Sequence, residues 1–563
     1  MYADLRAFIH DLEQRRQLVR VRAEVDANQE ITIIQHRVLA AGGPALLFER
    51  VKGSPYRVVA QQLMPPSPGG LWRLRRDLLR LLPLRLRRVG SGPVMETVQQ
   101  PPDLNRLPVL TCWPGDGGPF FTLPLVHTKD PLTGQGNLGI YRLQRFDART
   151  TGMHWQIEKG GGFHFYQAQR LGRPLPVSVI LGGPPALTIA AITPLPEGVD
   201  ERLLAAYMAG RPLPVILRRA SGHRIPAAAE FVLEGEVRPG QTRREGPFGD
   251  HFGHYSEAAD YPVFNVRRIL ARKDAIYPAT VVGKPVQEDY FIGEALQEMT
   301  LPLLRLMKPA ITDLWAYPET GFHPLAVMAV QQRYAREDLK LTLGMLGEGQ
   351  VSLTKVMITV DQDVCIRDFK AVSQALWRHL TEECIHLLSP TAQDTLDFTG
   401  PAMNTGSRLL LLATQGADGP VRDVPPPPPQ RPTEIHPGVI AAAALGPAVL
   451  LVQVEETVND LTGLLDALQH HPVSSAYLFV VLLSPDVPLD DPVLRLWGWF
   501  TRFDPAADLH PAARSVRGNR LLLQFPLVID ARWKKGYPRP VAFDPDLEHK
   551  VLQRWAEYGI PLE

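Results

Sequence analysis

KVMITVDQDVCIRDFKAVSQALWRHLT, residues 355–381, decides how the C-terminal half of this chain is built. Val356 to Val360 is an apolar run of strand length. An Asp-Val turn follows at Asp363, and the stretch from Asp368 then carries apolar side chains at helical spacing, Trp377 among them. Strand, turn and amphipathic helix in that order predict α/β layering. The arrangement returns at 477–503, YLFVVLLSPDVPLDDPVLRLWGWFTRF, again with an Asp-Val pair and a tryptophan-bearing helix. Such self-similarity predicts a degenerate internal duplication. Between the copies, Pro425 to Pro429 is an unbroken proline run that favours an extended, solvated linker.

Toward the N-terminus the pattern changes. From about residue 105 to 310, short apolar runs such as PVSVILG, AEFVLEGEV and FNVRRILA alternate with Gly/Pro turns, which predicts antiparallel sheet or barrel. Residues 3–20 place Leu5, Phe8, Ile9 and Leu12 at helical spacing, and Val19 to Val25 alternates like a strand. The expected fold is therefore α/β and β multidomain. It comprises an α/β domain over 1–104 with a basic helical insert at 66–92, a β domain over 105–310 and an α/β domain over 311–420. Residues 421–563 supply the linker, the repeat and a closing helix.

Charge is balanced, 60 basic against 59 acidic residues among 563, so no global field would recruit nucleic acid. The three cysteines, Cys112, Cys365 and Cys384, lack CxxC spacing, which argues against a disulfide framework or structural zinc and fits a reducing cytoplasm. No apolar stretch reaches the roughly 18 residues that a membrane span needs. The insert interleaves arginine with leucine from Trp72 to Arg88, a composition suited either to peripheral membrane contact or to an exposed helix or an interface between protomers.

Four clusters could carry chemistry. GNLGIYR sets Asn137, an oxygen donor for a hard cation, near Arg142, which can grip a carboxylate bidentately. REGPFGD sets Glu245 and Asp250 about a Gly-Pro turn, and paired carboxylates are a common means of proton transfer. TPLPEGVDE offers Glu197, Asp200 and Glu201 at a helix start, where acidic residues also suit the helix dipole. HWQIEKGGGFHF gathers His154, Glu158 and His164 around glycines, as a metal loop beside a phosphate would. That glycine run is not the dinucleotide fingerprint, which needs GxGxxG between a strand and a helix, and GEGQVSLTK lacks the phosphate-loop spacing, so ordinary dinucleotide or ATP binding has no support.

In order along the chain, GGPALLFERVKGSPYRVV, LPVLTCWPGDGGPFFTLPLVHTKDP, GNLGIYRLQ, TTGMHWQIEKGG, EGPFGDHFGHY and VAFDPDLEHKV resemble the UbiD family of prenylated-flavin-dependent decarboxylases. The resemblance implies a central split β-barrel that binds prenylated FMN through Mn²⁺ (or Mg²⁺ or Fe²⁺), with K⁺ alongside. The implied metal ligands are Asn137, Glu158 and Glu201. Glu158 stands where the family usually has histidine, which leaves His154 and His164 as alternates. Asn137, Gly139, Ile140, Tyr141 and Arg142 would lie against the cofactor, and Lys355 would reach its phosphate. The catalytic trio would be Arg142, Glu245 and Asp250, with Asp250 holding a raised pKa as proton donor. The family further implies a homodimer or larger homo-oligomer, and a flavin prenyltransferase as cofactor supplier. VVGKPVQEDYFIGEAL, GEGQVSLTKVMITVDQDV and DTLDFTGPAMNTGS look most like the menaquinone branch, whose substrate class is a dihydroxynaphthoic acid, with Tyr290 near the pocket wall. A prenylated 4-hydroxybenzoate is the alternative substrate, and a non-catalytic flavin-binding or scaffold homologue the alternative role.

Overall fold

Hydrogen-bonded strand pairing divides the chain more simply than its composition does. The computed structural model describes residues 2–60, 85–155, 160–195, 198–285, 287–415, 422–458 and 460–561. They form two compact units, one of Met1–Leu296 with Arg539–Glu563 and one of Gln297–Pro538.

In the first unit, helix Leu5–Gln14 is capped by Asp4, whose carboxylate accepts from Ala7 N at 2.8 Å. Strand Leu18–Val25 then pairs in parallel with Ala45–Val51 through the crossover helix Glu30–Ala40. That sheet is finished by Ile276–Pro278, parallel to Arg57–Ala60, so a strand from far downstream completes the N-terminal layer. The expected helical insert at 66–92 falls mostly outside the described residues, but Leu86–Val89 is a strand, paired with Leu213–Arg218. Thr97–Gln99 likewise joins Ala259–Ala271, so the chain enters the central sheets before the expected boundary at 104.

The main central sheet is antiparallel, ordered Thr150–Gly152, Ala259–Ala271, Phe231–Glu245, Leu175–Leu181, Leu125–Lys129, Gly136–Ile140. Its longest strand, Phe231–Glu245, begins in the core with Phe231, Val232 and Leu233 fully buried. Irregular pairing at Glu234/Gly235 and Val237/Thr242 bends the strand, as bulges do. Gly235 permits the first irregularity, since a Cβ there would meet Asn265 O at 2.0 Å. Helix Pro545–Gln553 packs on Glu30–Ala40, and the segment before it reaches the turn after Gly249: Val541 N donates to Gly253 O at 3.0 Å and Tyr255 N to Arg539 O at 3.1 Å.

The second unit bears out the duplication seen at 355–381 and 477–503. Its first sheet is ordered Ile311–Ala316, Leu325–Val330, Val356–Asp361, Thr405–Ala413, Ile385–Ala392. The second is ordered Val439–Ala444, Val449–Val454, Phe479–Leu483, Arg520–Asp530, Leu509–Arg517. In both, three central strands are parallel and both edges antiparallel. Helices Glu337–Met345 and Phe369–His379 in one copy stand where Leu461–His470 and Leu494–Phe500 stand in the other. Leu325–Val330 and Phe479–Leu483 are buried throughout, which is why these strands read as continuous apolar runs rather than alternating ones. Pro425–Pro429 forms no regular element, since proline lacks the N–H that would enter a ladder.

Candidate active site

Glu245 ends the long bent strand, and Asp250 follows directly on the two-residue strand Phe248–Gly249. The Gly-Pro turn between them sets both carboxylates against Arg142, which follows the strand Gly136–Ile140. Arg142 Nε donates to Glu245 Oε1 at 3.1 Å, Nη1 to Asp250, and Nη2 to Ser256 Oγ at 3.0 Å. The guanidinium carbon lies 4.8 Å from the Phe248 ring centroid. Glu245 is fully buried, and its second oxygen, Oε2, has no hydrogen-bond partner among the described residues. It fits because residue 152 is glycine: a Cβ there would come within 2.9 Å of Oε2.

Two residues outside the expected set hold this turn. Asp116, in the WPGDGGPF loop, accepts from Gly249 N at 2.8 Å with one oxygen, and from Cys112 N and Trp113 N at 2.9 Å with the other. Gln144 accepts from Gly246 N at 2.8 Å and donates to Gly117 O at 2.6 Å. Thus the residue after Glu245 and the residue before Asp250 are each tied to a fixed loop. The close approach requires Gly117, where a Cβ would meet Gly246 O at 2.1 Å. An aspartate between glycines in an apolar setting was the available sequence signal for Asp116.

Burial raises the Asp116 carboxyl to about 6 against its three backbone donors. Protonation below that value removes acceptor capacity from the ties. Asp116→Asn is therefore expected to lower kcat by roughly 10–100-fold, the scale of an ångström-level misplacement, and to remove an acid limb near pH 6 from the rate profile. Stability should move the other way. A carboxyl whose folded value is raised makes the wild-type protein more stable as pH falls from about 6 toward the unfolded value, and thermal melts across that range would show it.

Asp250 departs from expectation. Burial would raise its carboxyl, but the hydrogen bond from His251 and the charges of Arg142 and His251 outweigh burial, and the group is held well below the usual carboxylate range. His251 Nδ1 lies 2.9 Å from Asp250 Oδ1. The expected raised value is thus corrected: with nothing else bound to Arg142, Asp250 is an anion. Asp289, which opens helix Asp289–Met307, is like Asp116 a carboxyl that is raised, to about 6, here by burial and the nearby Asp250 charge, against His251.

The two histidines left as alternate ligands are engaged elsewhere. His154 Nδ1 lies 3.0 Å from Glu245 Oε1, and burial and Arg142 lower its pKa, so it is neutral near pH 7. His164 Nδ1 lies 2.9 Å from Thr128 Oγ1, on the buried side of helix Gly160–Arg170.

Asn137 and Glu201 come together a short way along the same strand. Glu201, first residue of helix Glu201–Ala209, accepts from Leu138 N at 2.9 Å, which sets its carboxylate beside Asn137. Burial pushes that carboxyl up to about 7. Tyr141 Oη accepts from Asn137 Nδ2 at 3.3 Å and from Gly161 N at 3.1 Å. Asn137 Oδ1 faces Gly160 so closely that a Cβ there would lie 2.2 Å away. Behind the strand, Arg202 Nη1 donates to His127 Nε2 at 3.0 Å. The other ring nitrogen must then carry the proton, which it donates to Asn137 O at 2.9 Å.

These residues fit a divalent cation beside an anionic group: an amide oxygen and a desolvated carboxylate are hard donors. The indole N–H of Trp155, also without a partner among the described residues, adds a donor close by, since a Cβ at Gly161 would lie 2.8 Å from it. Glu158 and Glu197 lie outside the described residues, among which no trio of His, Cys, Asp or Glu suited to a metal occurs.

Lys355 belongs to the second unit. There it is buried, 2.9 Å from Asp397 and 5.3 Å from the Phe503 ring centroid. Tyr290, second in its helix, packs edge-on against Phe291 with ring centroids 5.4 Å apart.

Three family models match in order: the N-terminal, Rift-related and C-terminal domains of 3-octaprenyl-4-hydroxybenzoate carboxy-lyase, over residues 9–64, 87–285 and 290–413. The chain belongs to this family, the UbiD family, and is a carboxy-lyase. A Chlamydia pneumoniae protein named as a subunit of 4-hydroxybenzoate decarboxylase is 40% identical over 588 residues, 98% of each chain. An uncharacterized Chlamydia muridarum protein is 39% identical over 587 residues, 98% of this chain and 99% of that one. Among solved structures, the UbiD-class enzyme HmfF from Pelotomaculum thermopropionicum, in complex with FMN, is 27% identical. It has a TM-score of 0.64 and covers 73% of this chain and 94% of its own. Vanillic acid decarboxylase from Sedimentibacter hydroxybenzoicus shares the fold at TM-score 0.70 and 24% identity, over 77% of this chain and 97% of that one. The second repeat lies beyond the last family model, yet within the span matched by the chlamydial proteins.

Proposed function

We propose that this chain decarboxylates an aromatic or α,β-unsaturated acid with prenylated FMN held through Mn²⁺ or a similar ion, and that the acid is a dihydroxynaphthoate of menaquinone synthesis. The observation that carries the reading is Arg142 held between Glu245 and Asp250 just past strand Gly136–Ile140, whose start carries Asn137 with Glu201 bonded to the next residue. Asn137 and Glu201, with Glu158, would hold the metal. The bound cofactor supplies an electron sink for the carbon that loses carbon dioxide, while the metal offsets the charge of its phosphate.

The rest is the work of this chain's side chains. Arg142 presents a planar fork to the substrate carboxylate. Glu245, with His154 beside it, orients that fork. A carboxylate arriving at Arg142 competes with Asp250 for the guanidinium, so Asp250 loses the partner that keeps it ionised and can take up the proton it later delivers to carbon. A cytoplasmic homo-oligomer, loaded by a flavin prenyltransferase, belongs to the same reading.

The branch motifs favour the naphthoate. The name of the Chlamydia pneumoniae relative favours a 4-hydroxybenzoate instead. Incubating enzyme co-expressed with a flavin prenyltransferase separately with dihydroxynaphthoate, 4-hydroxybenzoate and prenylated hydroxybenzoate decides between them. Carbon dioxide from the first alone is the expected result, and turnover of only a hydroxybenzoate would reject the naphthoate. A preparation that binds neither flavin nor metal would point to the non-catalytic alternative.

A further inference from the structure

The two repeats of the second unit treat the same place in opposite ways. At the carboxyl ends of Leu325–Val330 and Val356–Asp361, and just past Thr405–Ala413, lies a cavity of about 840 Å³ lined by Arg336, Asp338, Asp361, Asp363 and Thr414, among others. The volume falls within the range of small-molecule sites, and the carboxyl edge of parallel strands is where open α/β sheets bind ligands. In the second repeat that edge is filled with arginine. Arg502, fully buried, pairs with both oxygens of Asp486 at 2.8 and 2.6 Å, and Arg532 with both oxygens of Asp530 at 2.8 and 3.0 Å.

The copies can be aligned residue by residue. Asp363–Val364 matches Asp486–Val487, and the helix-start aspartates Asp368 and Asp491 then coincide, each accepting from the backbone two residues on. Along the same alignment His379 stands at the place of Arg502, and Asp361 at that of Ser484. Register gives the other wall: Val356 pairs Leu409 as Phe479 pairs Leu527, which puts Thr414 at the place of Arg532. The first repeat has therefore replaced two guanidinium side chains by shorter ones, kept the aspartate that Arg502 binds, and added a second.

Of the cavity's charged groups, Asp338 accepts from Thr414 Oγ1 at 3.0 Å and Leu339 N at 2.7 Å, and Arg333 is paired with Glu337. The Asp361 carboxylate accepts only from the Gln415 N–H, at 2.7 Å, among the described residues. Burial, with Asp363 and Asp338 nearby, raises the Asp361 carboxyl despite Gln415 and His379. Arg336 lines the same cavity.

We propose that this cavity binds a small organic cation, with a guanidinium or primary amine taking the place beside Asp361 and Asp363 that Arg502 occupies beside Asp486. Arg336 would then accept an anionic end where the ligand has one. The second repeat is the chain's own picture of the occupied state. Nothing in the carboxy-lyase assignment requires such a site.

Titration calorimetry on the full chain with agmatine as probe tests it. One-to-one binding is expected, weakened at least about 10-fold, or 1.4 kcal/mol, in Asp363→Asn, an exposed position whose replacement leaves the core untouched. The double variant His379→Arg with Thr414→Arg, which copies the second repeat, is expected to abolish binding while keeping the wild-type circular dichroism. L-arginine binding more tightly than agmatine would assign the carboxylate to Arg336. Three results would each overturn the proposal: no heat with agmatine at about 10 mM, binding of Mg²⁺ but not agmatine, or agmatine binding unchanged in Asp363→Asn.

Discussion

Arg142→Ala is expected to lower kcat/KM by about 10³-fold or more, the scale at which loss of a preorganised charge donor acts, with loss of stability besides. Glu245 is fully buried and Asp250 is held as an anion by Arg142 and His251, so removing the guanidinium leaves two buried carboxylates facing each other. Breaking a buried ion pair by deleting one partner costs about 3–5 kcal/mol. Arg142→Lys separates the two effects. A lysine keeps the charge but not the fork, so the melting temperature should recover most of the way toward wild type while carbon dioxide release stays near the alanine level. Recovery of turnover in the lysine variant would show that charge alone is enough, and would remove the case for bidentate capture of the substrate carboxylate.

How much of this could be read from the sequence depended on whether the interaction was local. The repeat at 355–381 and 477–503 was legible because each copy carries its own strand, turn and helix within some twenty-five residues, and the sheets follow strand for strand. The grouping of Arg142 with Glu245 and Asp250 was legible as motif positions. What escaped were pairings across long separations. Ile276–Pro278 finishes the N-terminal sheet, Asp116 ties down Gly249, and Val541 braces Gly253, none of which leaves a periodic trace. Lys355 shows that a motif match supplies a position but not the neighbours, since Asp397 and Phe503 come from distant segments. The direction of the Asp250 pKa also depends on residues placed by the fold. Burial alone argues upward, and the sign reverses only once Arg142 and His251 are in place.

Asp250→Asn carries the other large expected effect. The variant should bind flavin and metal as before, since among the described residues the hydrogen bonds of Asn137 and Glu201 go to partners other than residue 250, yet lose about 10²–10⁴-fold in turnover, the range assigned to a positioned proton donor. Because the folded pKa is depressed, the stability that Asp250 contributes is present above the unfolded carboxylate range and lost as pH falls through the folded value. Wild type and Asp250→Asn should therefore differ in melting temperature at pH 7 and converge in strong acid. The same depression makes a kinetic demand. In the resting site the charges of Arg142 and His251 favour the Asp250 anion over the acid. The proton must arrive after substrate engages Arg142, so deuterium from solvent should appear in the product of the wild-type enzyme, while Asp250→Asn should fail to exchange labelled carbon dioxide into product. Asp250→Glu restores a carboxyl on a longer arm and should regain part of that exchange. An Asp250→Asn enzyme that still exchanges at the wild-type rate would move the proton to another group, and the raised carboxyl of Asp289, coupled to His251 and Asp250, is where the search would turn.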